Sequence, residues 1–206
     1  MDYSTLSFQE LPKYIWLGRE HKDWYKDCTS MFIELFGKDE LELVCKLFAA
    51  TSINTSMKAN ITLFRKAYIE LKENKPIGNY LPNIQNQLRL VREGKPLSGR
   101  KINSFSQAMS GDSNAVVVDV WMGRIFGVDK KYFRQKSQRM QSGGLTDKNY
   151  TLIESYIREQ APQMGLTPCE LQSILWAGAR IFHNGEVDNT YENLLRFKFH
   201  NLFGMI

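Results

Sequence analysis

Two residues at the starts of neighbouring predicted helices have side chains suited to covalent chemistry. Lys101 follows the pair Gly99-Arg100, and Asp119 follows the apolar run 115–118. An unprotonated amine attacks electrophilic carbon, and a fixed carboxylate stabilises the positive charge that develops as a leaving group departs. The sequence therefore predicts Schiff-base chemistry, with Lys101 as the nucleophile and Asp119 as the assisting group.

Each of these residues also has an ordinary structural explanation. A lysine in the first turn faces the positive end of the helix dipole, which is unfavourable for a surface cation but useful for a nucleophile. Lys101 is then a catalytic residue, a contact to a DNA phosphate or an idle surface residue. Aspartate is a preferred helix N-cap, and a capping Asp119 would be held in place without losing its ability to assist catalysis.

The elements that carry these residues are expected to be helices, because apolar side chains recur at helical spacing through most of the chain. We predict an all-α fold. The run 115–118 has strand propensity, but no second strand is available, so we predict an extended lead-in to the helix at Asp119. The segment 167–170 (TPCE) is typical of a capping box with proline at the first helical position. Other helices are predicted over about 41–51, 57–71, 84–93 and 102–109.

The composition restricts the classes of function. The chain has 206 residues, enough for one domain with a buried core, and its net charge of +5 modestly favours a polyanionic partner. We expect no membrane span and no signal peptide. The three cysteines lie far apart, which indicates free thiols and a cytoplasmic protein. The three histidines show no metal-binding spacing, so no metal site is predicted.

Three segments resemble parts of a known superfamily. Residues 96–124 resemble the hairpin, lysine and aspartate segment of the helix-hairpin-helix DNA glycosylases, the superfamily of endonuclease III and 8-oxoguanine glycosylase. Residues 47–54 (LFAATSIN) are similar to the superfamily's turn between two early helices. Residues 172–180 (QSILWAGAR) are similar to its late helix. The matches occur in the expected order and cover roughly residues 39–183.

The sequence departs from the superfamily's pattern at three positions. Leu97 stands where the first glycine of the hairpin is expected, and Thr51 replaces a glutamine of the early turn. Trp121 replaces a histidine that contacts phosphate in some relatives. These positions concern the base specificity and the DNA contacts of the superfamily rather than its scaffold.

The resemblance implies one domain, 1–206, with two helical lobes and a cleft between them. The lobes are expected at approximately 39–140 and at 1–38 plus 141–206. Some relatives hold an iron–sulfur cluster with four cysteines, which this chain lacks, so no cluster and no other cofactor is expected. A monomer is expected in the cytoplasm, associated with the nucleoid, or in the host cytoplasm if the chain is phage-encoded.

The resemblance also implies an activity, that of a DNA N-glycosylase with or without AP-lyase activity. A modified or damaged nucleotide would rotate out of double-stranded DNA into the cleft. Asp119 would stabilise the positive charge on the sugar. Lys101 would attack the anomeric carbon, release the base and leave an imine that permits strand cleavage.

Further residues are assigned from the hairpin and the matched segments. Successive amides at a helix N-terminus bind phosphate, although an ordinary tight turn has a similar sequence. The predicted DNA-backbone contacts are Ser98, Gly99, Arg100, Trp121 and Arg124. The predicted base-pocket residues are Thr51 and Asn54. A basic run forms either a phosphate-steering patch or a solvated helix face, and consists of Lys130, Lys131, Arg134, Lys136 and Arg139. Trp176 and Arg180, four residues apart, either stack or bind a carboxylate, or Trp176 is a core residue.

Two other functions fit the same sequence. The first is base hypermodification of the phage thymine type, in which an enzyme with this scaffold replaces a group on a flipped base. The second is a DNA-binding module without catalysis. Borohydride separates the glycosylase-lyase from both, because only an enzyme that forms an imine becomes covalently fixed to DNA.

Overall fold

The computed structural model describes residues 2–128 and 145–184. This part of the chain contains nine α-helices and no β-strand, so the predicted all-α class is confirmed. None of the described helices is long and apolar enough to cross a membrane. The helices are α1 (Leu11–Gly18), α2 (Trp24–Phe36), α3 (Leu41–Thr51), α4 (Met57–Lys72), α5 (Pro82–Arg92), α6 (Arg100–Met109), α7 (Val120–Ile125), α8 (Asp147–Gln160) and α9 (Pro168–Asn184).

Local sequence signals determine where several helices begin. Ser56 caps α4, because its hydroxyl oxygen accepts a hydrogen bond from the backbone N–H of Ala59 at 3.3 Å. The backbone N–H of Thr167 donates to the Glu170 carboxylate at 2.7 Å, and the N–H of Glu170 donates to the Thr167 hydroxyl at 3.2 Å. This reciprocal pair satisfies two donors that the helix itself leaves free. The predicted capping box before α9 is confirmed.

The described residues divide into two compact units. The first unit consists of residues 2–25, 112–128 and 145–184, and the second of residues 26–111. The boundaries between the lobes predicted from the sequence lie instead at residues 38/39 and 140/141. The observed division has a physical basis in the core of the first unit.

Residues 112–128 belong to the first unit because their apolar side chains are buried in its core. Ala115 to Val118 form neither helix nor strand and are fully enclosed, so the predicted extended lead-in is confirmed. Val116, Val118 and Met122 pack with side chains of α1, α8 and α9. The other members of this core include Leu11, Tyr14, Ile153, Ile157, Leu171 and Leu175.

Helices α1 and α9 approach each other backbone to backbone at two glycines. A Cβ atom on Gly178 would lie 1.9 Å from the carbonyl oxygen of Tyr14. A Cβ atom on Gly18 would lie 2.0 Å from the carbonyl oxygen of Ile174. Real Cβ atoms essentially never come within 3.0 Å of such atoms, so only glycine permits this crossing.

Gly178→Ala is expected to lower the free energy of unfolding by about 3 kcal/mol or more, because the added methyl group forces the two helices apart. Helix propensity alone favours alanine over glycine by about 1 kcal/mol, so a loss cannot arise from local preference. Chemical denaturation measures the difference.

Gly165→Ala is the control for this prediction. A Cβ atom added to Gly165 would have no atom within 4 Å. The substitution therefore costs only the backbone strain of an alanine at a φ of +68°. That penalty is about 1 kcal/mol for a residue forced into the left-handed region. Equal losses in the two variants would contradict the close crossing of α1 and α9.

The second unit is built around α3, which packs against α4, α5 and α6. Three fully buried phenylalanines form its centre. The ring centroid of Phe48 lies 5.4 Å from that of Phe32 and 5.7 Å from that of Phe64. The thiol of Cys45 donates to the carbonyl oxygen of Met109 at 3.1 Å. This bond joins α3 to the end of α6, the helix that carries Lys101.

The three cysteines are free and buried, which confirms the predicted free thiols. Burial raises the pKa of Cys45 and of Cys169 from 9.0 to about 12. A raised thiol pKa stabilises the fold at every pH below the unfolded value. This contribution is lost as the pH rises from about 9 towards 12, because the unfolded thiols ionise first.

We expect a thiol-specific disulfide reagent at mildly alkaline pH to modify none of the cysteines of the folded protein and all three after denaturation. The reason is that the reacting species is the thiolate, which burial disfavours. Absorbance of the released reagent counts the modified thiols. Rapid modification of Cys45 or Cys169 without unfolding would contradict their burial.

Candidate functional site

The segment that leads to Asp119 is anchored by one tyrosine of α8. The hydroxyl of Tyr150 donates to the carbonyl oxygen of Val116 at 3.2 Å and accepts from the N–H of Val118 at 3.5 Å. A buried extended segment needs partners for its backbone groups, and here a phenol supplies them in place of a second strand. The end of the segment, and with it Asp119, is thereby held in position.

Both carboxylate oxygens of Asp119 accept hydrogen bonds. Oδ1 accepts from the backbone N–H of Met122 at 3.0 Å, which confirms the predicted N-cap of α7. Oδ2 accepts from the indole Nε1–H of Trp176 at 3.2 Å. The carboxylate is therefore fixed from two directions, by its own helix and by α9.

Trp176 both packs against the core and contacts polar groups at the site. Its ring is partly buried against the core, and its indole N–H binds the carboxylate of Asp119. The guanidinium carbon of Arg180 lies 5.4 Å from the centroid of the Trp176 ring. The stacking of Arg180 on Trp176 that was considered from the sequence is confirmed, and the carboxylate contact is made by the indole of Trp176 rather than by Arg180.

Trp121, which immediately follows the first residue of α7, is contacted by two guanidinium groups. The guanidinium carbon of Arg124 lies 4.6 Å from the centroid of the Trp121 ring, and that of Arg180 lies 5.2 Å from it. Within residues 2–128 and 145–184, neither arginine pairs with a carboxylate. Their N–H groups are therefore available to an anion, while their planar faces are supported by aromatic rings.

Two further aromatic residues continue this surface, and no pattern in the sequence indicated either of them. His183 lies 6.0 Å from Trp121 between ring centroids, and its Nε2 lies 3.3 Å from the hydroxyl of Tyr14. The ring of Phe182 lies 4.9 Å from that of His183 and is 41% exposed. The residues of α9 near its end therefore extend the aromatic surface that begins at Trp121.

Lys101 is the second residue of α6, in the second unit, and is partly buried. Among the described residues its ammonium group has no hydrogen-bond or ion-pair partner. Lys58 and Lys148 are likewise the second residues of α4 and α8. The position in the helix is therefore not distinctive by itself, and Lys58 provides a matched comparison for Lys101.

The loop before Lys101, where the hairpin is predicted, is fixed by two side chains that no sequence pattern indicated. The amide of Gln87 in α5 accepts from the N–H of Ser98 at 2.8 Å and donates to the carbonyl oxygen of Ser98 at 2.9 Å. Asn103 donates to the carbonyl oxygen of Leu97 at 2.6 Å. Leu97 itself is buried, so its apolar side chain has a packing role at this position.

The remaining hairpin residues are exposed at the start of α6. Ser98, Gly99 and Arg100 are all accessible, and Gly99 precedes the helix with a φ of +99°. No atom lies within 4 Å of the place where a Cβ of Gly99 would be. The positive φ, rather than a crowded approach, accounts for the glycine in this structure.

The predicted base-pocket residues belong to the second unit and differ in exposure. Thr51 is fully buried, and its hydroxyl lies 2.9 Å from the carbonyl oxygen of Leu47 and 2.6 Å from Oδ1 of Asn60. Asn54 is exposed and has a φ of +55°. Their placement favours a structural role for Thr51 and leaves only Asn54 accessible to a ligand.

The predicted basic patch falls outside the described residues. Its members are Lys130, Lys131, Arg134, Lys136 and Arg139. Within the described part of the chain, no group of histidine, cysteine, aspartate and glutamate side chains is arranged to hold a metal ion.

The chain belongs to a family of unknown function, DUF7178, which matches residues 17–182. No curated protein and no solved structure matches the chain. The matched range includes Lys101, Asp119 and Trp176. Because the family carries no assigned activity, the function has to be argued from these side chains.

Asp119→Asn and Trp176→Phe are each expected to lower the free energy of unfolding by about 1 kcal/mol. Asparagine also caps helices, so its oxygen keeps the Met122 N–H and its NH₂ group faces the indole N–H, which loses its acceptor. Phenylalanine keeps the ring and removes the donor. In the double variant the two losses should overlap by about 1 kcal/mol, because the same hydrogen bond is removed twice.

Chemical denaturation of the four proteins completes this cycle. Trp16→Phe combined with Asp119→Asn is the control, since Trp16 is 64% exposed and has no contact with the carboxylate. Additive losses are expected for that control. Additive losses for Trp176 would show that its indole N–H does not stabilise the carboxylate.

Proposed function

We propose that this chain is a DNA N-glycosylase with the two-lobed fold of the helix-hairpin-helix superfamily. Three ordered sequence segments support the resemblance. The observation that carries the proposal is the carboxylate of Asp119, which receives one backbone and one indole N–H at the start of α7. Such a carboxylate is preorganised, as stabilisation of a developing cation requires.

The proposed role of Asp119 is electrostatic. When the bond between the sugar and the base breaks, the base takes the bonding electrons and the sugar becomes positively charged. A carboxylate whose oxygens are already oriented needs no rearrangement to stabilise that charge. The hydrogen bonds of Asp119 with Met122 and Trp176 supply this orientation.

The proposed role of Lys101 is nucleophilic. Its unprotonated amine forms a bond with the anomeric carbon as the base leaves with a proton. The sugar ring then opens, and loss of a further proton gives an imine between lysine and the strand. Elimination from this imine removes a proton from C2′ and breaks the C3′–O bond, and the 3′ phosphate leaves with the bonding electrons. The absence of an ion-pair partner for Lys101 within the described chain is consistent with this role.

The proposed substrate is double-stranded DNA, bound by a cytoplasmic monomer. At the exposed start of α6, the backbone amide of Gly99 and the side chains of Ser98 and Arg100 would contact the backbone phosphates, since the amide of Ser98 already donates to Gln87. The net charge of +5 favours a polyanion without selecting a sequence.

Borohydride trapping on duplex oligonucleotides with a panel of damaged and phage-type modified bases tests this function. The parent chain is expected to become covalently fixed to at least one of them. Lys101→Gln should abolish trapping, because no imine can form. Asp119→Asn should lower the rate of base release roughly 100-fold, as expected when one preorganised stabilising group is neutralised.

Two variants serve as matched controls for this experiment. Lys58→Gln removes a lysine from the same helix position as Lys101. Asp112→Asn alters an aspartate that also accepts a backbone N–H, from Asn114 at 2.9 Å. Both controls should keep the activity of the parent. Base release by Lys101→Gln without strand cleavage would restrict Lys101 to the lyase step.

Other outcomes contradict the proposal. Full activity of Asp119→Asn would reduce the carboxylate to a helix cap. Binding of the panel without trapping or base release would favour a DNA-binding module. Conversion of a modified thymine into another base, with the glycosidic bond intact, would instead favour a hypermodification enzyme.

A further inference from the structure

A line of aromatic and guanidinium groups runs across the ends of α7 and α9. We name it the aromatic–arginine stripe and define it by Trp121, Arg124, Arg180, Phe182 and His183. Neighbouring members are in contact, with separations from 4.6 Å for Arg124 and Trp121 to 6.0 Å for Trp121 and His183. All five lie in the first unit and are at least partly exposed.

The stripe is fixed in place by residues beneath it. The hydroxyl of Tyr14 contacts His183 at 3.3 Å, and Tyr14 is itself buried at the crossing of α1 with α9. Arg180 lies against Trp176, whose indole is held by Asp119. Because these side chains are already ordered, a ligand that binds them incurs little additional loss of side-chain entropy.

The charge of the stripe favours an anion. Neither Arg124 nor Arg180 pairs with a carboxylate in the described part of the chain. Two carboxylates lie near Tyr14 and Trp176, the side chains beneath the stripe, and both already have partners. Glu10 lies 3.9 Å from Lys13, and both oxygens of Asp119 accept N–H groups.

We propose that the aromatic–arginine stripe binds single-stranded DNA. Unpaired bases would stack on His183 and on the guanidinium planes, and the phosphates would bind the outward N–H groups of the arginines. Phe182 supports His183 from the side, because the ammonium group of Lys13 already lies 3.5 Å from the centroid of the Phe182 ring. Stacking requires exposed base faces, which an intact duplex does not offer, so the stripe selects unpaired strands. The choice of DNA over RNA rests on the proposed glycosylase function, whereas the stacking and the charge do not.

Fluorescence anisotropy of a labelled oligothymidine of about 12 nucleotides, within the usual range of single-strand sites, measures the binding directly. The full chain should bind it at low salt, and an unlabelled duplex should compete poorly. The combined variant Trp121→Leu with Arg124→Ala should weaken binding by about tenfold or more, since stacking on one ring contributes about that factor or more per base.

The chain provides a matched control for this variant. Trp16 lies in α1 and Arg19 immediately follows that helix. The two form a similar pair, with the guanidinium carbon of Arg19 4.9 Å from the centroid of the Trp16 ring. Trp16→Leu with Arg19→Ala therefore removes the same residue types and the same charge outside the stripe. It should change the affinity less than twofold, a negligible free energy. Thermal unfolding of both variants verifies that each is folded. Arg180→Ala alone repeats the test with every aromatic ring of the stripe retained.

Several results would overturn the proposal. Equal weakening by the stripe and control variants would show that net charge alone binds the oligonucleotide. Equal competition by duplex would remove the preference for unpaired bases, and tighter binding of oligouridine would exclude DNA as the preferred strand. Undamaged oligothymidine measures binding without chemistry. Failure here therefore leaves the glycosylase proposal standing, and failure of base release leaves the stripe proposal standing.

Discussion

The backbone contact between α1 and α9 is the constraint on which the first unit depends. With no side chain at Gly18 or Gly178, the two helices come close enough for carbonyl oxygens to face Cα atoms. Gly178 lies between Trp176 and Arg180 on α9, so the crossing also determines where those two side chains are. From that position the indole reaches Asp119, and the end of α9 reaches Tyr14. The glycines thus organise the candidate site without belonging to it.

The extended segment 115–118 adds a second, independent restraint on the same carboxylate. Its side chains are buried and its backbone is bound by the hydroxyl of Tyr150. Asp119 is consequently held by α7 through Met122, by α9 through Trp176 and by α8 through the segment that precedes it. Asp119 is thus restrained by contacts with three helices, whereas capping alone requires contacts with one. This excess of order is what distinguishes Asp119 from an ordinary N-cap.

Features encoded by neighbouring residues were predictable from the sequence, and features encoded by distant residues were not. The capping box at Thr167, the cap at Asp119 and the extended lead-in all depend on a few consecutive side chains, and all were confirmed. The boundaries of the two units, the crossing at Gly178 and the amide of Gln87 depend on contacts between remote segments. Periodicity shows that a helix face is buried but does not show what covers it. A glycine inside a helix or a buried glutamine therefore looks unremarkable until the partner is known.

The two hydrogen bonds between the Gln87 amide and the Ser98 backbone have a chemical consequence of their own. One neutral amide donates to and accepts from the same residue, as an adjacent strand would. No charge takes part, so counterions do not weaken this restraint, and a salt titration would report on contacts with a ligand rather than on loss of the hairpin. Deamidation is the vulnerability of such an arrangement. A glutamate at this position would still accept from the Ser98 N–H, but it would present a repelling oxygen to the carbonyl group, and the start of α6 would loosen as the protein ages.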